Sequence, residues 1–229
     1  MNKSLINYLK SLVEIVYKIK RNILIIKFLR KPFNTWILSN FYNEKKFKKD
    51  AAKWRTQKFY RTDQYINVDC EIQHKFIECI LNTVNVQDSI LDICCNQGRH
   101  IKLLHNNGYR NLVGFDVMEA AIKNLKASDE YLSGGIYAET NLAQDFIKNT
   151  PNLTYDYSIT FGATIELIHP GFKIFKELGR ILNKGLIFAI NENGHSYPRF
   201  YRYQIESSGF EIIQYQKIQD LTILNCRKL

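Results

Sequence analysis

The chain has 229 residues, 45% hydrophobic and 24% charged, which is ordinary for a globular protein and long enough for one α/β domain plus an extension. Its formal charge of +10 is uneven: residues 1–62 hold 16 Lys/Arg against 3 Asp/Glu, a net of +13, and residues 63–229 hold 16 against 19, a net of −3. Basic character therefore belongs to an N-terminal extension. The five cysteines (Cys70, Cys79, Cys94, Cys95, Cys226) show neither a Cys-x-x-Cys pair nor metal-ligand spacing, so no metal is expected. An odd count without an export signal fits a reducing cytoplasm.

In chain order, residues 3–30 read as a helix: Leu5, Leu9, Leu12, Ile15, Val16, Ile19, Ile23, Ile26 and Leu29 recur near helical spacing with lysines interspersed. No uncharged run approaches the roughly 20 residues that span a bilayer, and Lys interrupts the apolar stretches too often for a secretory signal. A basic amphipathic helix of this kind suits contact with a membrane surface through residues 1–31, or packing on its own domain or on a second copy in a homodimer. Pro32-Phe33 is expected to end it. Residues 41–61 mix Lys45, Lys46, Lys48, Lys49, Lys53, Arg55 and Lys58 with Phe47, Trp54, Phe59 and Tyr60, which fits either a solvated helix or a phosphate-tracking surface.

From Cys70 strands and helices alternate. Helices are expected at 71–83, 98–107, 118–127, 142–148, 172–182 and 199–208, and strands at 89–93, 111–115, 135–138, 155–161, 185–191, 210–216 and 221–226. The alternation argues a doubly wound, mainly parallel sheet of seven strands with helices on both faces. The last two strands have a short link and must pair as an antiparallel hairpin. The domains expected are a basic helical extension or lid over 1–66 and an α/β domain over 67–229.

The informative stretch is Ser89-Ile90-Leu91-Asp92-Ile93-Cys94-Cys95-Asn96-Gln97-Gly98-Arg99-His100, followed by Asn111-Leu112-Val113-Gly114-Phe115-Asp116. An apolar strand ends at an acid and a tight turn, and the next strand ends at another acid. In a βαβ unit the first turn lies against a ligand and the second acid can accept both hydrogen bonds of a ribose cis-diol. Asp116 as a helix N-cap is the structural alternative.

These motifs resemble the first two of class I S-adenosylmethionine-dependent methyltransferases, whose loop usually reads acid-x-Gly-x-Gly-x-Gly. Here the glycine places hold Cys94, Asn96 and Gly98. Asn tolerates left-handed backbone; Cys94 either narrows the space beside the methionine part of the cofactor or marks a turn with negative φ. A dinucleotide site fits less well, since the Gly-x-Gly-x-x-Gly spacing is missing. The resemblance implies the same seven-stranded fold and S-adenosyl-L-methionine as cofactor. Asp92 is expected to hold the loop through backbone N–H groups and to reach the methionine amine directly or through water; the resemblance assigns the ribose to Asp116, the ribose or adenine face to Val117 and Met118, and the adenine edge to Asn141 and Leu142. Phe161 and Gly162 follow strand four. It also makes residues before the first motif a lid, with Trp54, Tyr60 and Tyr65 as pocket candidates.

Methyl transfer needs alignment and, for a hydroxyl acceptor, a base. The candidates are His195 on the loop after strand five, then His169 and Glu166 after strand four, where the segment resembles that of small-molecule and glycan methyltransferases. Glu166 equally suits bracing the turn. No Asp/Asn-Pro-Pro-Tyr/Phe follows strand four, no nucleophilic cysteine occupies strands four or five, and no P-loop is present. The expected function is methylation of a hydroxyl or carboxylate on a small molecule or glycan precursor. An RNA methyltransferase using the basic region, and a non-catalytic protein of the same fold, are the alternatives.

Overall fold

The structure is a computed structural model describing residues 29–40, 44, 54–55, 70–162, 164–194 and 196–229. Most of the expected helices at 3–30 and 41–61, together with Tyr60, Tyr65 and His195, lie outside these residues. From Glu71 onward the elements are α1 (Glu71–Thr83), β1 (Ile90–Ile93), α2 (Arg99–Asn106), β2 (Leu112–Asp116), α3 (Glu119–Lys126), α4 (Asp129–Leu132) and β3 (Ile136–Thr140). Then come α5 (Ala143–Asn149), β4 (Tyr155–Phe161), a 3₁₀ turn (Ile165–Leu167), α6 (Ile174–Ile181), β5 (Leu182–Ile190), α7 (Tyr201–Glu206), β6 (Phe210–Ile218) and β7 (Leu221–Lys228).

The seven strands form one sheet in the order β3-β2-β1-β4-β5-β7-β6, with β1 to β5 parallel and β7 antiparallel between β5 and β6. All four residues of β1 are buried, as a central parallel strand covered on both faces must be. Strand alternation sends Leu91 and Ile93 to one core and Ile90 to the other. The first core takes Phe146 and Ile147 of α5, Phe175 and Leu178 of α6, and Ile205 of α7. The second takes Phe76 and Ile80 of α1, Ile101 and Leu104 of α2, and Leu125 of α3. The sheet is thus the middle of three layers. The chain reverses its direction of travel at β1, flanked by β2 and β4; the carboxyl ends of strands at such a switch point are where open α/β sheets bind ligands.

Two local expectations are corrected. Pro32 does not end the helix: residues 29–32 are helical, Pro32 has φ −60° and ψ −41°, and the chain widens into a π-turn at Phe33–Ile37 closed by Leu38 N–H on the Phe33 carbonyl. Proline's fixed φ suits a helical path. The turn is also held from outside. Asn34 Nδ2 donates to Pro198 O at 2.7 Å, Phe200 N–H to Thr35 Oγ1 at 3.1 Å, and Lys173 Nζ to Ser39 O at 2.8 Å. Second, β5 starts at Leu182, three residues before its expected start. Its pairing with β4 runs from Tyr155↔Leu182 to Tyr157↔Gly185, so β5 carries one extra residue at a bulge there, and Asp156 opposite it accepts the Ser89 N–H at 3.0 Å.

Gly185 is required by close approach. A Cβ there would lie 2.2 Å from the Cys226 carbonyl oxygen on β7, which is backbone and cannot swing aside. Gly185→Ala should therefore lower unfolding stability by about 1–3 kcal/mol or more. Urea unfolding checks this; an unchanged midpoint would show that the β5–β7 contact is looser than the register implies.

Candidate active site

Strand β1 ends in the turn 94–98, which opens α2. Cys94, Asn96 and Gly98 have φ of 56°, 52° and 72°. All three positions therefore hold the left-handed backbone that glycine favours, and a negative φ at Cys94 is ruled out. A side chain in this region costs about 1–2 kcal/mol, so the surrounding contacts must impose it at Cys94. At Gly98 an added Cβ would meet Leu125 Cδ1 at 2.6 Å, so packing of α2 on α3 also needs glycine there.

The turn spends its N–H groups on itself and on β2. Cys95 N–H donates to Phe115 O, Gln97 N–H to Asn96 Oδ1 and Gly98 N–H to Cys95 O, at 2.8–2.9 Å. Asn96 N–H donates to Asp116 Oδ2 at 2.9 Å, and Met118 N–H to Asp116 Oδ1 at 2.9 Å. Asp116 thus clamps the β1 turn to its own strand end while beginning α3, a role beyond the simple N-cap. These four N–H groups, each already engaged, offer no cradle to a pyrophosphate.

Asp92 is buried, and its Oδ2 has no hydrogen-bond partner among the described residues. No loop N–H reaches it; Asp116 holds the loop in its place. Burial, with Asp116 adding and Arg99 opposing, holds the Asp92 carboxyl well above the usual range. Asp116 is raised by burial and pulled back by the N–H groups of Met118, Asn96 and Val117. Burial pushes the Cys94 and Cys95 thiols well up, and both carboxylates add to the effect, so neither is a thiolate at neutral pH. All five cysteines are free. Among the described residues no group of three or more His, Cys, Asp or Glu is placed to hold a metal ion.

Around this pair, the sheet order brings the other expected cofactor residues to the same rim. Val117 and Met118 are half-buried after β2, and Leu142 is buried after β3. Asn141 N–H donates to Asp116 O at 2.9 Å and its Nδ2 to Glu139 Oε1 at 2.8 Å. Phe161 is half-buried and meets Phe76, His100 and the Arg99 guanidinium at 5.2, 5.0 and 5.7 Å between centres. Burial lowers the His100 pKa to about 3, so that ring is neutral. Gly162, at φ 86°, faces open space, with no atom within 4 Å of an added Cβ.

The far side of the cleft is built by the segments after β4 and β5. Glu166 is fully buried: its Oε1 accepts Asn191 N–H at 2.7 Å and its carbonyl accepts Tyr197 N–H at 2.9 Å. Arg199, also buried, donates to the carbonyls of Ile165 and Ile168. Glu166 thus ties the two segments together, and burial raises its pKa to about 7 against the pull of Tyr201, Arg199 and backbone N–H groups. His169 is half-buried; its Nδ1 accepts Gly171 N–H at 3.0 Å, which puts the ring proton on Nε2. Sequence reasoning missed Gln144, buried in the first turn of α5 with neither amide atom partnered among the described residues. Its one signal was a polar residue inside an otherwise apolar helix face.

No family model matches the chain, and no curated protein matches it by sequence. Solved structures do. Magnesium protoporphyrin IX methyltransferase from Synechocystis PCC 6803 with bound SAM is 15% identical at TM-score 0.57, covering 92% of this chain and 100% of that one. An S-adenosylmethionine-dependent methyltransferase from Mesorhizobium loti is 13% identical at TM-score 0.58, covering 71% and 100%. The [4+2]-cyclase SpnF is 12% identical at TM-score 0.57, covering 67% and 80%. At such identities the likeness carries the fold: a seven-stranded α/β sheet with an antiparallel C-terminal hairpin, as in class I methyltransferases.

Glu166 gives the site a pH signature. A carboxyl whose pKa rises from 4.5 to about 7 on folding binds more protons folded than unfolded, so stability is present in acid and falls as pH climbs through that window. The expected loss is about 3 kcal/mol. Glu166→Gln keeps an oxygen for Asn191 N–H and should flatten stability between these limits in urea unfolding; an unchanged pH slope would assign it to another group.

Proposed function

We propose that this protein is an S-adenosyl-L-methionine-dependent methyltransferase acting on a hydroxyl, or a carboxylate, of a small molecule or glycan precursor. The observation that carries this is the left-handed turn Cys94–Asn96–Gly98 clamped to Asp116, beside the unpartnered buried oxygen of Asp92. The fit is chemical. A cationic amine would neutralise Asp92, whose carboxylate has an open oxygen. The Asp116 oxygens, which accept the N–H groups of Asn96 and Met118, keep lone-pair capacity for a ribose cis-diol. With Nδ2 committed to Glu139, the Asn141 carbonyl oxygen is the end left to accept an adenine amino group. Leu142 and Met118 would flank the base, and Cys94 would narrow the space at the methionine end.

When bound, the cofactor supplies an electrophilic methyl group on a sulfonium, so the protein's task is alignment and proton removal. Of the three base candidates, Glu166 is sealed in the brace between two segments, and the Nδ1 of His169 is taken by the Gly171 N–H. We therefore assign the base role to His195, in the loop that Glu166 and Arg199 support; an imidazole near neutral pKa suits a hydroxyl acceptor. Residues 1–66 serve in this reading as an extension and lid. The cyclase among the structural neighbours is a reminder that this frame carries more than one reaction, so binding and turnover need separate tests. Five free thiols suit a reducing compartment and support a cytoplasmic site of action.

Titration with S-adenosylhomocysteine should show saturable binding; a folded protein with no binding would point to the non-catalytic alternative. Asp116→Ala, checked for folding by circular dichroism, should lose about 1–3 kcal/mol of that affinity. Unaltered affinity would remove Asp116 from the ribose site. Once mass spectrometry of an acceptor pool identifies a product heavier by one CH₂, His195→Ala should lower turnover and spare cofactor affinity. Equal turnover would return the role to His169.

A further inference from the structure

The segment 33–40 packs inside out. Asn34, Thr35 and Ser39 are buried and hydrogen-bonded to the body, whereas Trp36 between them is 52% exposed and Ile37 39% exposed. Trp36 packs tilted against Phe200, 5.1 Å between centres and 39° between planes, and meets Tyr203 of α7 edge-on at 6.2 Å; these rings are themselves 37% and 54% exposed. Beside them Arg202 lies over the Tyr215 ring at 5.8 Å. Two separate parts of the chain therefore hold a rigid aromatic cluster at the surface, where burying the polar pair forces the indole outward. An apolar cluster fixed in this way marks a contact surface.

We propose that this cluster is a docking surface for an anionic membrane. Trp and Tyr, apolar in body and polar at one edge, are the side chains that settle at headgroup depth. Charge complements them. Residues 1–31, which precede the cluster in sequence, carry eight Lys/Arg and one Glu, and the chain from 63 onward is net −3. An anionic surface attracts the first and repels the second, so it orients the molecule with the cluster facing lipid. Nucleic acid fits the charge but not the rings: Trp36 and Phe200 already pack on each other, which takes up faces a base would stack on. The cluster sits on the segment after β5, so docking brings that side of the cleft to the bilayer. The inference does not depend on methyl transfer.

The test is sedimentation of the full chain with phosphatidylcholine vesicles, alone or containing about 30% phosphatidylglycerol, at low and high salt. Binding is expected on anionic vesicles, with a part that survives salt because it is apolar. Trp36→Ser/Tyr203→Ser should weaken partitioning about tenfold, and Trp36→Phe should stay near wild type. Tyr203→Ser alone, on the exposed ring, should weaken it less and guards against a folding defect. Equal partitioning of the double variant, complete release by salt, or no vesicle binding at all would overturn the proposal. So would single-stranded RNA binding, or a dimer seen in ultracentrifugation, that the same variants abolish. Cofactor titration of the same samples is independent, so failure of one reading leaves the other standing.

Discussion

The clamp made by one carboxylate is what the rest of the site depends on. Asp116 accepts N–H groups from Asn96 and Met118, so a single side chain fixes the turn after β1, the end of β2 and the start of α3. Hydrogen bonds to a charged acceptor are among the stronger ones in a protein, and here they are formed in a buried setting where the local dielectric is low. Of the three left-handed residues, Asn96 and Gly98 tolerate that backbone by themselves, whereas Cys94 has no such preference and is held there by its surroundings. With these hydrogen bonds the turn holds its shape and keeps its own N–H groups occupied.

The second consequence is electrostatic. Asp92 and Asp116 share a buried corner in which each disfavours the other's charge, and burial raises both. Such a corner favours a ligand that brings positive charge and hydroxyl donors and disfavours phosphate. The same field keeps Cys94 and Cys95 as inert thiols, so two adjacent cysteines at the site are packing groups, with no nucleophilic or redox chemistry implied.

The other wall of the cleft is held by a different device. Glu166 and Arg199, both buried, join the segments after β4 and β5, and residues 33–40 lie against the outside of the second segment through Asn34 and Thr35. Order therefore passes from the N-terminal segment through the post-β5 loop to the turn after β4. The strand-end rim is set by the parallel strands; the segments after β4 and β5 are held to each other by contacts 25 and 34 residues apart in the chain, and to residues 33–40 by contacts 164 and 165 apart.

Much of this was legible in the residues. The helix at 71–83 and the strand at 155–161 match their expected bounds, because each has a clean apolar period and an unambiguous terminus. The rim residues Asp92, Asn96, Gly98, Asp116 and Asn141 follow from strand ends, since a parallel sheet gathers those ends on one side. Other features were not legible. The helical path through Pro32 depends on Asn34 and Thr35 finding partners at Pro198 and Phe200; the early start of β5 depends on a bulge in its pairing with β4; and the clamp on Asn96 depends on two strand tips lying side by side. Local sequence determined which segments are strands and helices and which side chains end them, since periodicity and termini are short-range properties. Tertiary structure alone decided which of those ends meet, and what charge and backbone conformation each must bear, since burial and hydrogen bonding across the sheet exist only once the chain has closed on itself.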